Sequence, residues 1–173
     1  MNYKVIDRET YYRKSIFRHF SEDCKCSTSM TSRIDVTDLV SYSKKTGTKF
    51  YINFLYILSK VLNSRDDYKM GYLWQTDQLI CYDVINPTQY VFHEDTETCT
   101  PVYTSYAEDY AVFHRNAEND IKKAKQTWEY GLDSANHPIR SPDRVIYSFV
   151  QAKIITIYCN TMLCLLKYRQ KLR

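Results

Sequence analysis

The sequence predicts an α/β layer fold in which a mixed sheet packs on helices. Three observations predict it. Residues 49–64, KFYINFLYILSKVLNS, form a long apolar segment whose Phe50, Tyr51, Phe54, Leu55, Leu58, Val61 and Leu62 recur at helical spacing. Ile52, Tyr56 and Ile57 fill most of the remaining circumference, and a helix apolar nearly all round is expected to be buried. Short alternating β-branched and aromatic runs lie before and after it, and strands scattered among helices indicate a layered architecture.

The elements follow in order. Residues 3–7 predict a short strand or extended arm. Residues 11–20, YYRKSIFRHF, place aromatics and Ile16 at helical spacing between Arg13, Lys14 and Arg18, which predicts an amphipathic helix. Residues 27–36 predict a strand, and residues 35–42 a short helix with Thr37 as its cap. Thr46-Gly47-Thr48 is the expected loop and N-cap before the central helix. That helix, at roughly 16 residues and polar at its ends, is too short to span a bilayer. Residues 68–74 and 78–82 predict a hairpin around Thr76-Asp77. Residues 90–93 and 96–103 alternate again, with Pro101 weakening the second run. Residues 110–128 carry Phe113, Ala117, Ile121, Ala124 and Trp128 at spacings of three and four, a surface helix with one buried stripe, which Gly131 can end.

Composition narrows the function. With 3 Gly in the chain, neither G-x-G-x-x-G nor a Walker loop can be written. The charge is unevenly placed: residues 1–138 carry 17 Lys and Arg against 19 Asp and Glu, while residues 139–173 carry 7 against one acid, Asp143. The basic residues Arg13, Lys14 and Arg18 are interleaved with acids and give no basic face, so no nucleic-acid partner is expected. Residues 1–10 are charged and polar and do not read as a secretory signal, so a cytoplasmic location and free thiols are expected for the six Cys. Cys24-Lys25-Cys26 with His19 nearby lacks a second ligand pair at zinc-finger spacing, and no metal is expected. His93, with Glu94 or Glu97 to orient it, is a candidate general base. The alternative is a strand histidine with a hydrogen-bond partner, and Glu94, Asp95 and Glu97 are then a solvated strand end.

Three segments, in order, resemble the chloramphenicol acetyltransferase family. Residues 1–36, MNYKVIDRETYYRKSIFRHFSEDCKCSTSMTSRIDV, resemble the family's opening: W-x-R-K/R-x-x-F, a cysteine after a short loop, then T-S-x-I-D-[IV]-T. Lys49-Phe50-Tyr51 resembles K-[FL]-Y-P, with Ile52 in place of the proline. Residues 91–98, VFHEDTET, are close to V-F-H-x-E-T-E-T-F. The resemblance covers about residues 1–132 with little need for gaps.

The resemblance implies a two-layer CoA-dependent acyltransferase-like fold and a cytoplasmic homotrimer. It implies transfer of an acetyl group from acetyl-CoA, as co-substrate, to the 3-hydroxyl of chloramphenicol, with the site between subunits. In the family the general base is a histidine in a C-terminal H-H-x-x-x-D-G. Here His19, His93, His114 and His137 stand singly, and Gly47, Gly71 and Gly131 all lie upstream of where that motif belongs. The family's serine-bearing strand is not recognisable after Pro138. The fold is therefore expected to be C-terminally incomplete and the activity impaired or lost. The alternative is a non-catalytic remnant that binds a hydrophobic ligand or mixes into trimers of a full-length relative. By the same resemblance Phe20 is an aromatic wall against the drug, and Cys26 is the pocket cysteine. Cys99 replaces the phenylalanine after T-E-T. Arg13 matches an arginine that pairs with the aspartate of the missing motif.

Residues 139–173 match nothing in the family. One reading is a tail translated out of frame from near His137 or Pro138, giving a partial domain over 1–138 and a divergent tail over 139–173. Others are a helix or strand packed on the core, or a membrane-surface element using Lys153, Lys167, Arg169, Lys171 and Arg173.

Overall fold

The structure, a computed structural model, describes residues 2–24, 33–73 and 76–126, together with the backbone of two strands at 144–150 and 154–158. The element order is β1 (Tyr3–Ile6), α1 (Lys14–Arg18), a π-helical turn (His19–Asp23), α2 (Thr37–Thr46) and α3 (Phe50–Asn63). A 3₁₀ turn (Asp66–Tyr68) leads to β2 (Met70–Leu73), β3 (Gln78–Tyr82), β4 (Asn86–His93) and β5 (Thr98–Tyr103). Helix α4 (Tyr110–Ala124) and strands β6 (Arg144–Val150) and β7 (Ile154–Tyr158) follow. The strands form two sheets, one ordered β1-β3-β2 and antiparallel, the other β5-β4-β6-β7 with a parallel β4–β6 pair. This is the mixed α/β architecture that the alternation of strands and helices predicts.

Helix α3 runs to within a residue of its expected ends. It buries Ile52, Asn53, Phe54, Leu55 and Ser59. Burial all round does not hold: Ile57 is 44 % exposed and Val61 51 %, so one flank of the helix is uncovered in the single chain. The expected cap is also corrected. Lys49 is the N-cap and supplies no side-chain bond. Gly47, at φ +68°, instead ends α2 in the left-handed conformation that glycine adopts without a Cβ clash. The Thr48 hydroxyl accepts from Asn53 Nδ2 at 2.8 Å.

Helix α2 starts at Thr37, which is its first helical residue and not its cap. Asp35 Oδ1 accepts from the Thr37 N–H at 2.9 Å and from its hydroxyl at 2.7 Å. These bonds hold the Asp35 carboxyl below the usual carboxylate range. The strand expected over 27–36 is not found at 33–36, which have no regular structure, and its earlier residues lie outside the described residues. The helix expected from Tyr11 begins three residues later. Asp7 accepts from the Glu9 N–H at 3.0 Å and from the Thr10 hydroxyl at 3.0 Å. Such Asx bonds favour turns over helix.

Both hairpins are present. Asp77 occupies the β2–β3 turn at φ +54°, a region that Asp tolerates. Pro101 sits inside β5, where it pairs with Tyr90. The strand accommodates it because β5 is the sheet's edge, so the missing N–H faces no neighbour. Helix α4 buries the expected stripe of Phe113, Ala117, Ile121 and Ala124, while Trp128 and Gly131 lie outside the described residues.

The core joins α3 and α4 to both sheets: Ile52, Phe54 and Leu55 cluster with Phe113, Ala117 and Ile121 from α4, with Ile80, Tyr82, Val91 and Val102 from the strands, and with Ile85 from the β3–β4 connection. Asn63 fastens the end of α3 to the start of β4. Its Nδ2 donates to the Ile85 carbonyl at 2.9 Å and its Oδ1 accepts from the Ile85 N–H at 2.9 Å. No helix among the described residues is long and apolar enough to cross a membrane.

Candidate active site

The sequence-predicted site residues fall on two separate supports. Arg13 and Phe20 belong to the N-terminal segment, on the side of the three-stranded sheet. His93 and Cys99 belong to the β4–β5 hairpin of the four-stranded sheet. Among the described residues α1 does not pack closely on β4 or β5, so the single chain does not bring the two pairs together. Cys26 lies outside the described residues, two positions beyond Cys24, a free and exposed thiol.

Phe20 is in the π-helical turn, 52 % exposed, with its ring edge-on to His19 at 5.1 Å. The apolar residues of this segment do not face a core: Tyr12, Ile16 and Phe20 are all exposed. The segment offers an open aromatic surface in place of a buried amphipathic face. Phe17 alone packs back, edge-on to Tyr72 of β2 at 5.5 Å. Arg13 lies at the N-cap of α1 with its guanidinium 4.9 Å over the Tyr12 ring. Among the described residues it meets no carboxylate at ion-pair distance. Asp67 is held below the usual carboxylate range first by its hydrogen bond from Arg65, with Arg13 a lesser contributor.

His93 is buried, and its Nε2 shares a 2.7 Å hydrogen bond with Thr100 Oγ1 across the strand pair. Glu94, Asp95 and Glu97 are exposed in the turn that follows. Cys99 is half-buried on the edge strand, directly opposite Phe92, whose ring is exposed. Among the described residues no three His, Cys, Asp or Glu side chains converge on a metal-sized site.

Two polar features escape sequence reasoning. Asn53 is buried, with every polar atom of its side chain bonded: Nδ2 donates to Ser43 Oγ and Thr48 Oγ1, both at 2.8 Å, and Oδ1 accepts from the Tyr110 hydroxyl at 2.5 Å. One amide thus joins α2, α3 and α4. A single Asn inside an apolar helix is the signal that could have found it. Gln89, in the middle of β4, is fully buried, and both of its amide atoms lack partners among the described residues. Asp120, on α4, has its carboxyl pushed up by burial, partly offset by the Thr104 hydroxyl and Lys123.

A model of the chloramphenicol acetyltransferase family matches residues 1–142. A chloramphenicol acetyltransferase of Clostridium perfringens is 34 % identical over 122 residues, covering 70 % of this chain and 55 % of its own length. One from Proteus mirabilis is 32 % identical over 134 residues, covering 78 % of this chain and 58 % of its own. One from Escherichia coli is 29 % identical over 119 residues. The chain therefore spans between half and three-fifths of the length of these relatives. A solved chloramphenicol acetyltransferase superposes with a TM-score of 0.80 at 16 % identity, over 99 % of this chain and 84 % of that one, which establishes a shared fold. The expectation raised by three short motifs is confirmed by a match over residues 1–142: the chain belongs to the chloramphenicol acetyltransferase family.

Proposed function

We propose that this chain carries the drug-binding half of a chloramphenicol O-acetyltransferase, and that it transfers little or no acetyl group by itself. The observation that carries the reading is the family match over residues 1–142, which includes the segments bearing Phe20, Cys26 and Cys99. In the full reaction a neutral imidazole takes the proton from the drug's 3-hydroxyl. The oxygen then attacks the thioester carbonyl of acetyl-CoA, and the tetrahedral oxyanion collapses with loss of the CoA thiolate. The chain has four histidines, none in H-H-x-x-x-D-G. His93 is buried and shares a hydrogen bond with Thr100, and in this reading it serves the sheet. Phe20 supplies an aromatic wall, Cys26 is the pocket cysteine, Cys99 lines the drug site with less aromatic surface than the phenylalanine it replaces, and Arg13 lacks the aspartate it would hold. No metal takes part.

The natural assembly in this reading is a cytoplasmic homotrimer. The uncovered α3 flank at Ile57 and Val61 and the open face of Tyr12, Ile16 and Phe20 supply apolar surface for subunit contacts. The division at 138/139 is part of the same proposal. The charge reversal beyond it supports a change of reading frame, while the pairing of β6 with β4 gives that segment a place in the sheet whatever its origin. Coding DNA whose shifted frame encodes no H-H-x-x-x-D-G downstream would contradict the frame change. The binding half of the proposal is tested by titrating the folded chain with chloramphenicol in a calorimeter. Saturable one-site heat is expected, weaker than for a family member with phenylalanine after T-E-T. A folded chain giving no heat would contradict the drug site.

A further inference from the structure

The segment bearing Phe20 has no buried residue in either α1 or the π-helical turn, so apolar burial does not fix its place. The geometry points to Arg8 as the residue that positions this segment, by clamping the 19–23 turn to the β2–β3 turn. Its Nη1 donates to Asp77 Oδ1 at 2.8 Å and its Nη2 to Glu22 Oε1 at 3.2 Å. The guanidinium carbon lies 5.7 Å over the Phe17 ring. The Tyr72 hydroxyl donates to the same Asp77 oxygen, and the Tyr72 ring packs on Phe17. Arg8, Asp77, Tyr72 and Phe17 therefore close a ring of contacts between α1 and the hairpin. Glu22 extends it, since its second oxygen accepts from Arg18 Nε at 3.1 Å.

Chemistry favours arginine in this role. Its planar fork reaches two carboxylates at once while its face stacks on an aromatic ring, which a lysine ammonium cannot do. Each ion pair is partly exposed and weak alone, but contacts that share partners are coupled. The residues at stake bound a concavity of about 510 Å³ whose lining includes Arg8, Tyr11, Phe17, Arg18 and His19, with the Phe20 ring edge-on to His19 beside it. The consequence for the drug rests on the proposed function, because Phe20 has its wall role there. The clamp itself stands on the contacts above.

The test is amide hydrogen exchange over residues 14–23 in the full chain at about 0.01 M and about 1 M NaCl, where the screening length falls from about 30 Å to about 3 Å. Arg8→Gln, Arg8→Lys and Asp77→Asn are compared with the unmodified chain, and chloramphenicol affinity is measured on each. In low salt Arg8→Gln is expected to speed exchange about tenfold, with Arg8→Lys and Asp77→Asn intermediate. High salt is expected to speed exchange in the unmodified chain and to change Arg8→Gln little. Affinity in Arg8→Gln falls by about threefold or more. Equal exchange in the unmodified chain and Arg8→Gln at low salt would overturn the clamp, as would protection indifferent to salt. Salt-sensitive protection in a chain that binds no drug would contradict the drug site and leave the clamp supported.

Discussion

The α3–α4 layer and the N-terminal segment are held in place by opposite means. In the layer, Phe113, Ile52 and Leu55 are 1 % exposed or less, and Asn53, buried beside them, has both amide N–H groups and its carbonyl oxygen hydrogen-bonded. In the segment, Tyr12, Ile16 and Phe20 face outward, and the fastening is ionic: Arg8 to Asp77 and Glu22, Lys4 to Asp66 at 3.5 Å. Burial is non-directional and insensitive to salt, while exposed ion pairs are weak, screened and pH-dependent. The difference separates what keeps the domain folded from what holds the residues expected to meet a ligand. A surface that must receive a substrate or another subunit cannot also be sealed by apolar packing within one chain.

The largest effect is expected from breaking the layer. Phe113→Ala removes a fully buried ring and should cost about 3–5 kcal/mol, a large share of a net stability of about 5–15 kcal/mol, visible as a lowered midpoint in urea melts. Asn53→Ala should cost about 2–3 kcal/mol, because it removes the hydrogen bonds to Ser43, Thr48 and Tyr110 together from a partly buried network. Gln89→Leu sharpens the comparison from the other direction. An amide buried without partners among the described residues is a penalty, so the substitution should raise stability by about 1–2 kcal/mol and the urea midpoint with it.

The smallest effect belongs to the ionic side and appears with pH. Asp66 is held below the usual carboxylate range first by its hydrogen bond from Lys69 and then by Lys4, and Asp67 by Arg65. Their folded pKa values lie under the unfolded value of about 3.9, so their contribution is present above about pH 4 and is lost as pH falls through the folded values. The protection of β1 and the 66–68 turn relative to intrinsic exchange rates should fall below about pH 4, while α4 keeps its protection. Loss of protection in both at the same pH would erase the distinction between the two regions.

The contrast also explains what was legible in the sequence. The α4 stripe of Phe113, Ala117, Ile121 and Ala124 was read residue for residue, since one buried face imposes helical spacing. The β2–β3 hairpin was equally plain from Thr76-Asp77. The α1 helix misled because its apolar spacing resembles a buried face, whereas those residues are outward. Ile57 and Val61 misled in the same way, since apolar residues awaiting another surface cannot be told from core residues by pattern. Of the site, Phe20 and Cys99 were named by resemblance and placed by the fold on half-open surfaces. Arg8 carried no local signal, because its partner Asp77 lies 69 residues away and only the folded chain brings them together.

The most direct measurement is thiol release from acetyl-CoA by the purified, folded chain with chloramphenicol present, against a control without the drug. The account predicts release no faster than the control, because in the proposed function the chain contributes drug-facing segments and none of its four histidines stands in H-H-x-x-x-D-G. Drug-dependent release would contradict it and would show that these 173 residues contain a working base, with His93 the first residue to replace.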